Sequence, residues 1–359
     1  MALKQLIRST VLLAIAACGS ETIRNVPDEN PDDNGVILTP GTDQPTKTDP
    51  NPSSCKAQSE TAKNVPLHLV VVLDCSGSMS ASYQDTSGSA STRFDAVRNA
   101  LVTYSKSAQV TPVYMSVVPF GLDQGASNDD CSASYYTPAV KDTLLPNGTV
   151  VTRGLAGLGP EGLTPTAGGV LGGEAYAKQL KNAKPGENVV LVLATDGEPT
   201  GCGDMSGANS AVSKAKSNGF PTYVIGVGDS LTNLNQLATS GGTAPALIID
   251  GNSATVVTQK LNRKLEDIRS QFACDLQVPA KFPDGSDADK SKINVQITDG
   301  SGAKKDLVYS QDCTKADAFR YDNAANPTKV ELCDSTCTAV RADRNAVIDL
   351  LLGCPSKVQ

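Results

Sequence analysis

The sequence predicts an α/β fold, an open and mainly parallel sheet with helices on both faces, followed by a small disulfide-rich, β-rich C-terminal module. Three observations predict it. Apolar runs at 67–73, 113–119, 188–194, 222–227 and 245–249 have the length and composition of buried strands. Helix-periodic stretches separate most of them, and that alternation is how parallel strands joined by crossover helices read. Cys274, Cys313, Cys333, Cys337 and Cys354 then crowd into residues 273–359, a segment too short to rely on an apolar core alone.

Taken in order, the chain opens on Lys4 and Arg8 ahead of the apolar stretch Val11 to Ala17, which is too short to cross a bilayer as a helix. Residues 1–17 therefore read as a signal peptide. The tetrapeptide Ile15-Ala16-Ala17-Cys18 resembles a bacterial lipobox. That resemblance implies cleavage before Cys18, lipidation of Cys18, and an exported protein held to the cell envelope by lipid. Gly19 rather than Asp follows the cysteine, which implies the outer membrane. Residues 18–64 carry Pro27, Pro31, Pro40, Pro45, Pro50 and Pro52 among polar residues, so they read as a disordered tether with a reach of roughly 100 Å.

Residues 65–272 hold the α/β pattern. In the first helix Phe94, Val97, Leu101 and Tyr104 recur at three- and four-residue spacing, behind Thr92 and Asp95 as a capping box. A middle helix opens near Thr166 and continues through Leu171, Ala175 and Leu180. The last shows Val257, Leu261, Leu265, Ile268 and Phe272 after Ser253 as its cap.

Ligands of such sheets bind at the carboxyl ends of the strands. The first strand ends there in Asp74-Cys75-Ser76-Gly77-Ser78-Met79, a carboxylate and two hydroxyls in one tight loop. Strand 188–194 ends in Thr195-Asp196-Gly197-Glu198, and Gly162-Leu163-Thr164-Pro165-Thr166 places hydroxyls at the start of the middle helix. Three loops thus bring oxygen donors to one edge, the set a hard divalent cation takes.

These residues resemble the von Willebrand factor A (vWA) domain family and its metal-ion-dependent adhesion site (MIDAS). The family's Asp-x-Ser-x-Ser, its Thr and its later Asp match Asp74, Ser76, Ser78, Thr164 and Asp196, within a likeness that spans residues 65–272. The resemblance implies a Rossmann-like vWA fold. It also implies a divalent cation, Mg²⁺ before Mn²⁺ or Ca²⁺, held by those five residues and completed by an Asp or Glu of a protein partner. Two carboxylates nearly neutralise such an ion, while hydroxyls leave it a positive field and an open position.

Other motifs are weaker. Gly157-Leu158-Gly159-Pro160-Glu161-Gly162 fits Gly-x-Gly-x-x-Gly but sets a proline and an acid where a pyrophosphate would approach. Ser53 with Lys56 and Ser213 with Lys216 have nucleophile–lysine spacing but lie in the tether and on a polar helix. The acid-rich stretch Asp284 to Asp289 lacks the distal glutamate of an EF-hand. His68, the single histidine, sits at the strand end away from the ligand loops, which argues against Ser–His catalysis. A formal charge of −7, becoming −9 once Lys4 and Arg8 are removed, and 4% aromatic residues argue against nucleic acid.

With Cys18 lipidated, nine cysteines remain. Cys75 is the expected free thiol, since a bridge inside the metal loop would distort the ligands, and it is expected to be the chief target of thiol reagents. Cys131 and Cys202 both hang over the metal edge and are expected to pair. Cys313–Cys333 and Cys274–Cys354 are the pairs expected in the 273–359 module. Within it 292–297 reads as a strand, and 346–351 as a strand or a short helix. Cys55 and Cys274 place that module at the end of the sheet opposite the metal face.

The function expected from these features is a lipid-anchored, non-enzymatic, metal-dependent binding or adhesion protein. Two alternatives stand beside it: a scaffold lipoprotein with a purely structural metal, and a metal-dependent hydrolase.

Overall fold

The computed structural model describes residues 58–352 apart from 85–89, 108–111, 123–130, 229–230, 251–252, 282–284, 286, 288–289, 291–292 and 344–345. Cys18, Cys55 and Cys354 lie outside the described residues.

In chain order the first part comprises β1 (Gln58–Thr61), β2 (Leu67–Asp74), the antiparallel pair β3 (Ser82–Gln84) and β4 (Ala90–Thr92), α1 (Arg93–Lys106), β5 (Val113–Phe120), β6 (Val140–Leu144), α2 (Gly148–Leu155), α3 (Thr166–Ala183), β7 (Asn188–Thr195), α4 (Asp204–Ser217), β8 (Thr222–Val227), α5 (Leu234–Ser240), β9 (Leu247–Ile249) and α6 (Ala254–Gln271). Six strands form one sheet in the order β6-β5-β2-β7-β8-β9, parallel except for the edge strand β6. All eight residues of β2 are buried. Their side chains alternate between two cores. Leu67, Leu69, Val71 and Leu73 meet α1 and α6, while Val70 and Val72 meet α3 and α4.

Both helical faces are built as the periodicity requires. Phe94, Val97, Leu101 and Tyr104 of α1 are buried, and Thr92 with Asp95 closes a reciprocal capping box. Ser253 stands at the N-cap of α6 without a side-chain hydrogen bond. Helix α3 is the anomaly, because Gly168, Gly169, Gly172 and Gly173 give it poor intrinsic propensity. Its glycines allow contact closer than any side chain would. A Cβ on Gly173 would lie 2.6 Å from Val72 Cγ2, and one on Gly169 would lie 2.7 Å from the Phe120 ring. The helix start is thereby held tight against the strand ends.

The second part is a small sandwich. It comprises β10 (Asp275–Gln277), β11 (Ile293–Thr298), β12 (Lys304–Asp306), β13 (Val308–Tyr309), β14 (Ala318–Tyr321), β15 (Lys329–Leu332), α7 (Asp334–Ala342) and β16 (Val347–Leu352). One sheet runs β10-β15-β14-β13 and the other β1-β16-β11-β12. Leu276, Phe319, Tyr321 and Val330 of the first pack against Ile293, Val295, Leu350 and Leu352 of the second. The apolar run near 346–351 is therefore a strand.

Two expectations are corrected here. Residues 58–61, assigned to the tether, form β1 and pair antiparallel with β16, because a neighbouring strand satisfies backbone groups that composition alone leaves to water. Cys274 bonds Cys337 rather than Cys354. Strand β10 pairs with β15, and Leu332 N donates to Cys274 O at 3.1 Å, so the first turn of α7 brings Cys337 back over Cys274. Cys313–Cys333 and Cys131–Cys202 form as expected.

The sandwich meets the α/β sheet at the amino ends of its strands. Val65 N donates to Asp275 O at 2.9 Å, and Lys329 Nζ reaches Asp275 Oδ2 and Asn188 Oδ1, each at 3.0 Å. His68, at the same end, is 1% exposed and lies between Asp142 Oδ1 at 2.7 Å and Glu187 Oε2 at 2.5 Å, stacked on Tyr114. Both ring nitrogens are engaged structurally. The carboxyl ends of the strands face the other way.

Gly173→Ala tests the close approach of α3. Helix propensity favours alanine by up to about 1 kcal/mol, whereas the clash with Val72 costs about 1–3 kcal/mol, so a net loss of stability is expected in denaturant unfolding. A more stable variant would show that the helix has room to move.

Candidate functional site

At the end of β2 the chain turns through Cys75 and Ser76 into a 3-10 turn, Gly77–Ser80. Asp74 directs that turn: its Oδ1 accepts from Ser76 N at 2.7 Å, and its Oδ2 accepts from Thr195 Oγ1, on the adjacent strand, at 2.5 Å. Ser76 Oγ lies 3.0 Å from Ser78 Oγ, and Ser78 Oγ donates to Asp196 Oδ1 at 2.7 Å. The Ser76 side chain also hydrogen-bonds Asp74, so the two serines stand between the two carboxylates. Asp74, Ser76, Ser78 and Asp196 thus form a continuous set of oxygens across the crevice between β2 and β7.

Thr164 belongs to the loop that closes this crevice. Glu161 N donates to Cys75 O at 2.8 Å, Gly162 N to Gly121 O at 2.7 Å, and Gly77 N to Gly162 O at 2.8 Å. Thr164 N donates to Thr200 Oγ1, and Thr164 O accepts from Thr200 N. The threonine is therefore held by backbone bonds to both carboxylate-bearing loops. The Cys131–Cys202 disulfide adds a covalent tie just beyond Thr200.

Burial sets the electrostatics. Asp74 is 0% exposed, which pushes its pKa up to about 6; hydrogen bonds from Thr195 and Ser76 oppose the rise, and nearby Asp196 adds to it. A buried carboxylate in this state favours a cation. The remaining donors are a second carboxylate and hydroxyls, all hard oxygens and none of them imidazole or thiolate, which fits Mg²⁺, Mn²⁺ or Ca²⁺. Among the described residues no group of three or more His, Cys, Asp or Glu gathers as a metal site, here or elsewhere; the set at this edge has two carboxylates and otherwise hydroxyls.

Sequence reasoning missed two members of this network. Thr195 holds the second oxygen of Asp74, and its signal was its place at the buried end of β7. Arg93, the first residue of α1, donates from Nη1 to Asp196 Oδ2 at 2.9 Å. No spacing rule points to that arginine, because it comes from a different loop.

Cys75 is the free thiol among the described residues, but its expected reactivity is overturned. Side chains alternate at the strand end, so while Asp74 faces the crevice, Cys75 packs in the core with Leu73 and Met79 and is 0% exposed. Burial, with Asp74 and Glu161 nearby, pushes its pKa far above that of an ordinary thiol.

An open, mainly parallel sheet between two helical layers is the fold of a von Willebrand factor type A domain. Residues 156–270 match the family model described as von Willebrand factor type A domain. The match contains Thr164 and Asp196 and stops short of the Asp74 loop. A comparison with curated proteins finds no match. Solved structures similar to the chain include the PilB minor pilin from Streptococcus sanguinis, at 16% identity and a TM-score of 0.43, over 57% of this chain and 62% of that one. That alignment spans less than two thirds of the pilin. Others are the vWF domain of the type V pili tip protein Mfa5 from Porphyromonas gingivalis (12% identity, TM-score 0.38, 58% of this chain and 96% of that one) and BatB from Bacteroides thetaiotaomicron (14%, 0.38, 56% and 99%). Likenesses this distant say nothing of what the chain binds.

Two measurements follow from the site. Asp74 holds its proton more tightly in the fold than in the unfolded chain, so the stability it contributes is complete below about pH 4 and is lost as pH rises through about 6. In EDTA the wild type is expected to lose up to about 3 kcal/mol more than Asp74→Asn between pH 4 and 7.5, while its affinity for a divalent cation falls about tenfold per pH unit below 6. Parallel stability curves for the two proteins would contradict this. Separately, peptide mapping after a short exposure to a thiol reagent is expected to find Cys75 unmodified in the native protein and modified once denaturant is added.

Proposed function

We propose that this protein is a metal-dependent protein-binding module that is exported and held to the bacterial cell envelope through lipid on Cys18. A divalent cation, Mg²⁺ in the first instance, is held by Asp74, Ser76, Ser78, Thr164 and Asp196, and an Asp or Glu of the partner completes its coordination. The observation that carries the reading is the continuous contact between Ser76, Ser78 and Asp196, at 3.0 and 2.7 Å, beside the buried Asp74. Coordination of a divalent cation would replace the hydrogen bonds that join these oxygens.

The ion supplies positive charge and an open position. The chain's own residues do the rest. Thr195 and the Ser76 amide orient Asp74, the serine hydroxyls donate dipoles without adding charge, and the loop carrying Thr164 walls the crevice. The sandwich lies at the amino ends of the strands, so the crevice is turned away from it towards a partner. The side chains of this network serve coordination and positioning, and the protein is read as a binding protein rather than an enzyme.

The test is calorimetric titration of Mg²⁺ into the mature protein, followed by capture of envelope proteins with Mg²⁺ or with EDTA. Mg²⁺ is expected to bind once per chain, and capture to be lost in EDTA and in Asp74→Ala while that variant keeps its circular dichroism. Capture that is identical in all these conditions would overturn the reading.

A further inference from the structure

The charge count of the site changes once Arg93 is included. Asp74 and Asp196 together would neutralise a divalent ion and leave little field for a partner's carboxylate. The Arg93 guanidinium bonds the oxygen of Asp196 that Ser78 leaves unused, 2.9 Å away, and it is only about one-quarter exposed. With it the protein groups of the site sum to −1 rather than −2, and the same groups holding a divalent ion to +1 rather than zero.

The arginine is built in. Thr92 caps α1 through the capping box with Asp95, which fixes the backbone from which Arg93 springs. Its guanidinium lies across the end of β8, where a Cβ on Gly228 would come within 3.1 Å of Cζ, and it also interacts with Tyr83. A planar fork wedged between a glycine and a carboxylate is a fixed charge, unlike a lysine free to swing into water.

Resting on the metal-site reading above, we propose that Arg93 acts as a resident second cation that weakens the site's hold on the divalent ion and strengthens the loaded site's hold on an anionic ligand. It is a positioning residue that acts through Asp196. The two effects have opposite signs because one charge repels the metal and attracts the carboxylate. A purely structural arginine would produce losses in both on removal.

The test uses Mn²⁺ as the metal and acetate as the carboxylate. Mn²⁺ binding is followed by its electron paramagnetic resonance signal, and acetate displacement of coordinated water by water-proton relaxation, in wild type, Arg93→Gln and Arg93→Lys. Arg93→Gln is expected to bind Mn²⁺ about tenfold more tightly and acetate several-fold more weakly, with both effects reduced at high salt. Arg93→Lys is expected to fall between wild type and Arg93→Gln for both, since it keeps the charge but not the fixed fork that holds it at Asp196. Arg93→Met, which retains the aliphatic packing, serves the same comparison if the glutamine variant fails to fold. Mn²⁺ binding by the neutral variant that is unchanged or weaker than wild type, or acetate binding that is not weakened, overturns the role of Arg93 while leaving the metal site intact. Failure of the wild type itself to bind Mn²⁺ overturns the metal site and this proposal together.

Discussion

The structure depends on the parallel pairing of β2 with both of its neighbours. β2 pairs with β7 from Leu67 opposite Asn188 to Leu73 opposite Ala194, and with β5 as far as Asp74 opposite Phe120. Because every residue of β2 is buried, a slip of one position would exchange its two cores and turn Asp74 into one of them. The register alone brings Asp74 alongside Thr195 and Asp196. The oxygens of the site are neighbours because the strands cannot slide.

Buried charge is the second constraint, and the molecule answers it differently at its two ends. At the amino ends of the strands His68 lies between Asp142 and Glu187, Lys184 meets Asp142, and Lys329 meets Asp275 and Glu331. At the carboxyl ends Arg93 answers Asp196, while hydroxyl and amide donors alone answer Asp74. Dipoles offset only part of the desolvation of a buried carboxylate, which is why its proton affinity rises. The end where Lys329 pairs with Asp275 joins the sandwich, and the end where only dipoles answer the buried Asp74 is the candidate site.

Packing accounts for how the site keeps its shape. The glycines of α3 sacrifice helix propensity for close approach to Val72 and Phe120, and so bring the Thr164 loop to within backbone hydrogen-bond distance of Cys75, Gly77 and Gly121. The Cys131–Cys202 bridge constrains the rim from the other side. The candidate site residues thus stand on strand ends and short, bonded loops rather than on long ones.

Much of this was legible in the residues, because strand length, helix period and the Asp-x-Ser-x-Ser loop are local properties written in consecutive positions. The five strands, the capping box of α1, the expected edge for the ligand set and two of the three bridges among the described residues follow from such local signals. Tertiary structure decided what depends on contacts between distant segments. It paired residues 58–61 with β16, bonded Cys274 to Cys337 through the pairing of β10 with β15, turned Cys75 inward, and laid Arg93 against Asp196 across a separation of 103 residues. The physical reason is the same in each case. Periodicity tells which face of an element is apolar, but which backbone edge, sulfur or charge lies opposite is settled only when the elements pack.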